Sequence, residues 1–161
     1  MHDAEWSTMW TNVALAGACV YFATNLIRRR RRGNWQRNRL WVSGYASGAL
    51  AALCGALYHG FPELASPGQL KALWNAIILL IGLCGGFMGS AGTLTPFSPN
   101  RLSSRLLMMG VLITGVGFAV QQSQFRAGEQ WNHNDYFHLL QIAAFYCLYR
   151  GSIAPDLAPA K

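Results

Sequence analysis

Long apolar segments are the feature that most constrains this chain. Five can be counted, and the longest reach the roughly 20 residues that a helix needs to cross a bilayer. Only 12% of the 161 residues are charged, about half the share of an ordinary soluble domain. Unpaired backbone groups are excluded from hydrocarbon, so these segments predict an all-α bundle of five transmembrane helices. We expect the helices at 9–27, 40–59, 73–92, 106–122 and 135–149.

The same segments predict a single domain. Residues 1–151 are expected to form one transmembrane unit, and 152–161 a flexible cytoplasmic tail. The fourth and fifth segments are shorter or more polar, so we expect them to pack against the other three. The first block is expected to stay as an anchor, because "MHDAEW" is acidic where a cleavable signal would be basic.

Charged residues predict how the helices are oriented. The loop "RRRRRGNWQRNR" holds seven arginines between Arg28 and Arg39, and short basic loops stay on the cytoplasmic side. Five crossings then place the N-terminus outside and the C-terminus inside. Eleven of the thirteen Lys and Arg residues fall inside, and five of the six acids fall outside. Membrane lipids, including anionic headgroups, are therefore the expected partners, and nucleic acid is not.

Small residues predict where helices approach one another. Gly44 and Gly48 lie one turn apart, and the segment "GLCGGFMGS" repeats that spacing twice in the third helix. This pattern favours close helix packing in lipid, so we expect the second and third helices to be central. A homo-oligomer contact is the alternative reading. The four cysteines each stand alone in a helix, which indicates apolar fillers and neither a disulfide framework nor a CxxC metal site.

Histidines point to a site at the outer face. The topology places all four there: His2, His59, His133 and His138. In the fifth helix, Asn134, His138 and Gln141 share one face, which must contact protein or water because ionisable groups are costly in lipid.

Imidazoles and carboxylates together suit zinc. The candidate ligands are His59, His133, Asp135 and His138, with Asp135 or Glu63 as the catalytic base that would act on a metal-bound water. Two alternatives stay open. One is a structural polar network that joins the second and fifth helices, with Asp135 capping the fifth. The other is haem, with His59 and His138 as axial ligands.

Two short motifs add a resemblance. "GALYHG" and "NDYFHLLQIAAF" resemble segments of the CREST superfamily, which includes alkaline ceramidases, progestin and adipoQ receptors, and haemolysin III proteins. The resemblance implies a divergent, shortened member in which His59 and His138 bind zinc. Asn134 stands where those proteins have the first histidine of an HxxxH pair, and Gly55 where they have a serine. The fifth helix is also similar to an uncharacterised bacterial membrane family, which implies the bacterial inner membrane.

Two functions follow as hypotheses. The first is a zinc-dependent hydrolase of lipid esters or amides. The second is a non-catalytic scaffold or accessory subunit of a larger membrane complex, with the histidines in structural polar pairs.

The predicted orientation can be tested by cysteine labelling in intact cells. In a background without native cysteines, Ser7→Cys should react with an impermeant maleimide, because the N-terminus is expected outside, and Asn34→Cys should react only after permeabilisation. The opposite labelling pattern would show that the orientation is inverted.

Overall fold

The computed structural model describes residues 5–29, 35–95, 101–126 and 131–154, and this part of the chain contains helices and no strands. One 3-10 turn, Pro62–Leu64, follows the second helix. The all-α prediction is confirmed. The five helices are α1 (Trp6–Arg28), α2 (Trp35–Gly60), α3 (Pro67–Thr93), α4 (Leu102–Gln122) and α5 (His133–Ile153).

Four of these helices, α1 to α4, are long and apolar enough to cross a membrane. Helix α5 has 21 residues but carries the polar motif, which keeps it out of that set. The chain is therefore a helical membrane protein. The number of crossings and their orientation stay predictions.

Helix capping explains why α3 and α5 begin before their apolar segments. At the start of α3, Ser66 and Gln69 form a reciprocal capping box, and Pro67 occupies the first turn. At the start of α5, Asn132 and Asp135 do the same, which confirms a capping role for Asp135. Hydropathy marks only the part of a helix suited to lipid, whereas capping side chains extend the helix into polar surroundings.

The end of α5 corrects the predicted domain boundary. The helix continues to Ile153, and both Ser152 and Ile153 are buried. These two residues belong to the bundle and not to a tail. The rest of the predicted tail, 155–161, lies outside the described residues.

The helices pack in the order α3–α2–α1–α5–α4, with each helix contacting the next. Helix α1 therefore lies between α2 and α5. An aromatic cluster closes the core where α2 and α5 also meet: the ring of Phe22 stacks on Tyr149, and the Tyr45 hydroxyl donates a hydrogen bond to the Phe145 carbonyl at 3.0 Å. This packing fixes the relative heights of α1, α2 and α5.

The predicted central position holds for α2 and is wrong for α3. Gly44 and Gly48 of α2 contact α3, and a Cβ at Gly44 would lie 2.6 Å from Met88 Cγ. The glycines of α3 face away from the chain: an added Cβ would meet no atom within 4 Å at Gly82, Gly85, Gly86 and Gly89. The spacing of small residues alone did not reveal which face of α3 packs.

Glycine also sets the distance between α4 and α5. A Cβ at Gly110 would lie 2.7 Å from Leu148 Cγ and 3.0 Å from the Ala144 carbonyl oxygen, whereas a Cβ at Gly115 would meet nothing within 4 Å. Only the first position requires the absence of a side chain.

This contrast predicts different effects for two alanine substitutions in one helix. Gly110→Ala should destabilise the protein by about 1–3 kcal/mol, because the new methyl group overpacks against backbone that cannot rotate away. Gly115→Ala is the matched control and should change stability little. Unfolding in detergent, followed by circular dichroism, measures both. Equal stability of the two variants would contradict the α4–α5 contact.

Candidate functional site

Three helix ends meet at one end of the bundle: the start of α1, the end of α2 and the start of α5. The Glu5 backbone N–H donates to the His59 carbonyl at 2.9 Å, and Asn132 Nδ2 donates to Glu5 Oε2 at 3.2 Å. This is the end that the sequence predicts to be outside. We call its polar side chains the outer-end cluster: Glu5, Ser7, Thr8, Thr11, His59, Asn132, Asp135 and His138.

Asp135 is the centre of the cluster. Its side chain is fully buried and accepts three hydrogen bonds. The donors are the Asn132 backbone N–H at 2.8 Å, the Ser7 hydroxyl at 3.1 Å and the Thr11 hydroxyl at 3.3 Å. Three donors offset the loss of hydration that a buried carboxyl group suffers. Asp135 thereby caps its own helix and joins α5 to α1.

His138 is connected to Asp135 through Thr11. Its Nδ1 lies 3.0 Å from Thr11 Oγ1, and the ring is buried. The Thr11 hydroxyl has one proton and two other acceptors in range, Asp135 and the Thr8 carbonyl at 3.1 Å. When that proton goes to Asp135 or to the Thr8 carbonyl, it is not available to His138. The imidazole then donates its Nδ1–H to Thr11 Oγ1. The Nε2 lone pair of His138 then stays available.

His59 has the same arrangement with a different carboxylate. Its Nδ1 lies 3.2 Å from Glu5 Oε2, and the ring is largely buried. An Nδ1–H donated to Glu5 leaves the Nε2 of His59 as the available nitrogen. The two histidines thus present equivalent atoms from two helices.

The imidazoles of His59 and His138 lie close enough to interact electrostatically with each other and with Asp135. That the two histidines form one common site stays a prediction. The first turns of α1 and its N-cap residue provide the contacts, Glu5 to His59 and Thr11 to His138, whereas the sequence predicted direct pairing of the second and fifth helices. The polar start of α5 meets α1 first.

The candidate zinc ligands are not assembled as one ligand set. Across residues 5–29, 35–95, 101–126 and 131–154, no group of three or more His, Cys, Asp or Glu side chains is placed to hold a metal ion. His133 and His138 are five residues apart, which puts them on different sides of a helix with 3.6 residues per turn. The oxygens of Asp135 are occupied by its three donors.

The predicted polar stripe of α5 divides between two neighbours. His138 faces α1, whereas Gln141 faces α4, with its Nε2 lying 3.2 Å from the position of a Cβ on Gly117. Asn134 is only partly buried. Within the described chain, Gln141 Nε2 and His133 Nδ1 are buried without a hydrogen-bond partner. Of the stripe, only His138 belongs to the cluster.

Glu63, a candidate base, lies exposed in the 3-10 turn after α2. Glu5 is the carboxylate that contacts His59 instead. Sequence reasoning missed Glu5 and the α1 hydroxyls, although a signal was present: Thr8, Thr11 and Asn12 follow i, i+3, i+4 spacing and form one polar face in an apolar segment. His2 lies outside the described residues.

Asn12 explains the glycine at position 55. Its Oδ1 lies 2.6 Å from where a Cβ on Gly55 would be, and its Nδ2 donates to the Thr8 carbonyl at 3.0 Å. The Asn12 amide therefore fills the space that a serine at position 55 would need. A polar group still lies at this level of the bundle, but it comes from α1.

Residues 7–108 and 99–156 match a protein family of unknown function, DUF6962. The chain belongs to this family. No curated protein and no solved structure matches it. The DUF6962 match includes all five helices, and with them every member of the outer-end cluster except Glu5.

The hydrogen-bond network of this DUF6962 protein predicts a large effect of removing one hydroxyl. Thr11→Val should cost about 1–3 kcal/mol, because it leaves buried polar atoms of Asp135 and His138 without a partner. Thr24→Val is the control, since Thr24 is on the same helix but bonds only the Val20 carbonyl at an exposed site. It should cost less than about 0.5 kcal/mol. Thermal unfolding in detergent compares them, and equal losses would contradict the buried network.

Proposed function

We propose that the protein is a membrane hydrolase of ester or amide bonds in lipids, with His59 and His138 as its working residues. The observation that carries the proposal is the shared orientation of the two imidazoles. Each directs Nδ1 toward a carboxylate, His59 to Glu5 directly and His138 to Asp135 through Thr11. The resemblance to CREST proteins selects the same two histidines.

Such histidine–carboxylate pairs have a defined chemical use. A carboxylate that accepts from Nδ1, as Glu5 does from His59, fixes the tautomer and ring orientation and leaves the Nε2 lone pair available. An imidazole held in this way is suited to act as a general base, and here it would take a proton from water as that water attacks a carbonyl carbon. The same imidazole, once protonated at Nε2, can then pass that proton to the leaving group.

Zinc is implied by the resemblance, and the described residues fit it only in part. The Nε2 atoms of His59 and His138 have the right chemistry for two ligands. A third would have to come from elsewhere, and His133, whose Nδ1 is buried without a partner, is on another side of α5. The arrangement as described does not form a zinc site, so the acid–base role is proposed for the histidines themselves.

The surroundings favour a lipid substrate. Exposed aromatic side chains flank the cluster, with the Trp6 ring packed edge-on against Phe61 and Trp131 nearby in sequence and exposed. Aromatic residues concentrate at the membrane–water interface, which is the depth of the ester or amide linkage of a lipid. We place the protein in a bacterial inner membrane, with the cluster facing outward.

The hydrolase proposal predicts that two glutamine variants lose activity. The purified protein in detergent is assayed with fluorogenic lipid esters and amides that differ in acyl chain length. His59→Gln and His138→Gln should each lower kcat/KM by about 100-fold or more, as expected when a general base is lost. His133→Gln is the control and should retain activity. Elemental analysis of each protein measures zinc at the same time.

The possible outcomes separate the readings. Full activity in both glutamine variants, with native unfolding temperatures, would refute the role of the histidines. Zinc near one equivalent that is lost in both variants, and kept in the control, would show that a metal completes the site.

A scaffold is the second candidate, and the complete satisfaction of Asp135 favours it. The three hydrogen bonds that Asp135 accepts stabilise the fold whether or not the protein catalyses a reaction. This reading predicts that the unmodified protein hydrolyses none of the substrates and that Thr11→Val, His59→Gln and His138→Gln all lower the unfolding temperature.

A further inference from the structure

A second cluster of chemically active side chains lies deeper in the bundle, where α1 and α3 approach each other across α2. It consists of three sulfur atoms, from Cys19 of α1 and Cys84 and Met88 of α3. All three side chains are buried, and Cys19 is completely inaccessible. We call it the sulfur cluster.

Two of the three sulfur atoms lie beside Gly48 of α2, next to the ring of Phe145. The position of a Cβ on Gly48 lies 3.3 Å from Cys84 Sγ and 3.4 Å from Cys19 Sγ. The Cys84 thiol also donates a hydrogen bond to Met88 Sδ, one helical turn away, at a sulfur–sulfur distance of 3.9 Å. Two sulfurs that share one ion at about 2.3 Å are themselves about 4 Å apart, so the Cys84–Met88 separation already matches a common ligand.

We propose that the sulfur cluster binds a soft monovalent metal ion, of the class of Cu(I) and Ag(I). Thiolate and thioether sulfur are the donors that such ions prefer. The cluster offers two thiols and one thioether from two helices, and the absence of a side chain at Gly48 lets both thiols lie close to α2. The third donor is a methionine, which the pattern of cysteines alone does not include.

Charge balance favours a monovalent ion, because that ion needs only one of the two thiols to lose its proton. An M⁺ ion that binds displaces one thiol proton, forming one metal–thiolate bond and releasing one H⁺. The second thiol and the thioether then bind as neutral donors, so the site gains no net charge. A divalent ion would leave a net positive charge unless both thiols lost their protons, and buried charge within the membrane is costly.

A bound ion would replace the hydrogen bond between Cys84 and Met88, and the neighbouring Tyr45 already has another partner. Tyr45, the largest polar side chain nearby, has its hydroxyl committed to the Phe145 carbonyl at 3.0 Å. The remaining cysteines, Cys54 and Cys147, are free and less deeply buried, and neither is among the atoms that converge on Gly48. They provide matched controls within the same protein.

The test is a titration of the reduced full-length protein in detergent with Cu(I), buffered by a chromophoric chelator under nitrogen, and with Ag(I) as a redox-inert probe. We expect one equivalent bound, one proton released and a new ultraviolet sulfur-to-metal absorption band. Cys19→Ser and Cys84→Ser should lower the affinity by more than the roughly 10- to 100-fold typical of losing a partner outside the ligand set. Cys54→Ser and Cys147→Ser should bind like the unmodified protein.

Two further variants separate metal binding from folding. Met88→Leu keeps the volume and removes the thioether, so it should weaken binding and leave the unfolding temperature of the metal-free protein nearly unchanged. Gly48→Ala keeps all three sulfurs but fills the point on which two of them converge, and it should also weaken binding.

Several results would overturn the proposal. They are the absence of Cu(I) and Ag(I) binding, equal binding by all four serine variants, and loss of binding in the Cys54 or Cys147 variant instead. A Cys19–Cys84 disulfide found by mass spectrometry in protein purified in air, with no metal uptake after reduction, would assign the pair to a covalent crosslink instead.

Discussion

The outer end of this bundle depends on the hydrogen bonds that the buried carboxyl group of Asp135 accepts. A carboxyl group that loses all contact with water must be compensated by the protein, and Asp135 obtains that compensation from its own helix cap and from two hydroxyls of α1. Those hydroxyls come from Ser7 and Thr11, so they hold the start of α5 against the start of α1. Asp135 thus determines which helix α5 meets and at what height, and it brings His138 to a defined position beside Thr11.

Helix α1 also packs against α2 in a defined register. Asn12 lies against Gly55 and Cys19 against Gly48, and both pairs are seven residues apart on their own helices. Residues seven apart lie two turns apart on the same face of an α-helix. One face of α1 therefore packs along one face of α2, with the two helices antiparallel. Small residues on α2 admit the larger side chains of α1. The register that places Glu5 beside His59 therefore results from glycine positions further along the same contact.

The sequence predicted the helices well because their apolar segments are long, and membrane helices must satisfy their own backbone. It also identified His59, Asp135 and His138, whose polarity stands out against apolar surroundings. It placed α3 wrongly, because glycine spacing shows that a helix can pack closely without showing which neighbour it meets. It missed Thr11 because a threonine can bond the backbone of its own helix and then needs no partner on another helix. Only the packing order of the helices shows that Thr11 lies between Asp135 and His138.

The two clusters of α1 differ in the kind of chemistry they allow, and depth explains the difference. The outer-end cluster lies at helix ends, where capping groups and charged side chains are available and water is near. The sulfur cluster begins at Cys19, eight residues beyond Thr11, or about 12 Å further along the helix. At that depth oxygen and nitrogen donors are costly to bury without partners, whereas thiols and thioethers are close to apolar in character. Sulfur is the donor that a membrane helix can hold in its interior without first assembling a hydrogen-bond network. This chain has most of its polar side chains at the outer end of the bundle. Sulfur is therefore the kind of metal donor that its apolar core can hold.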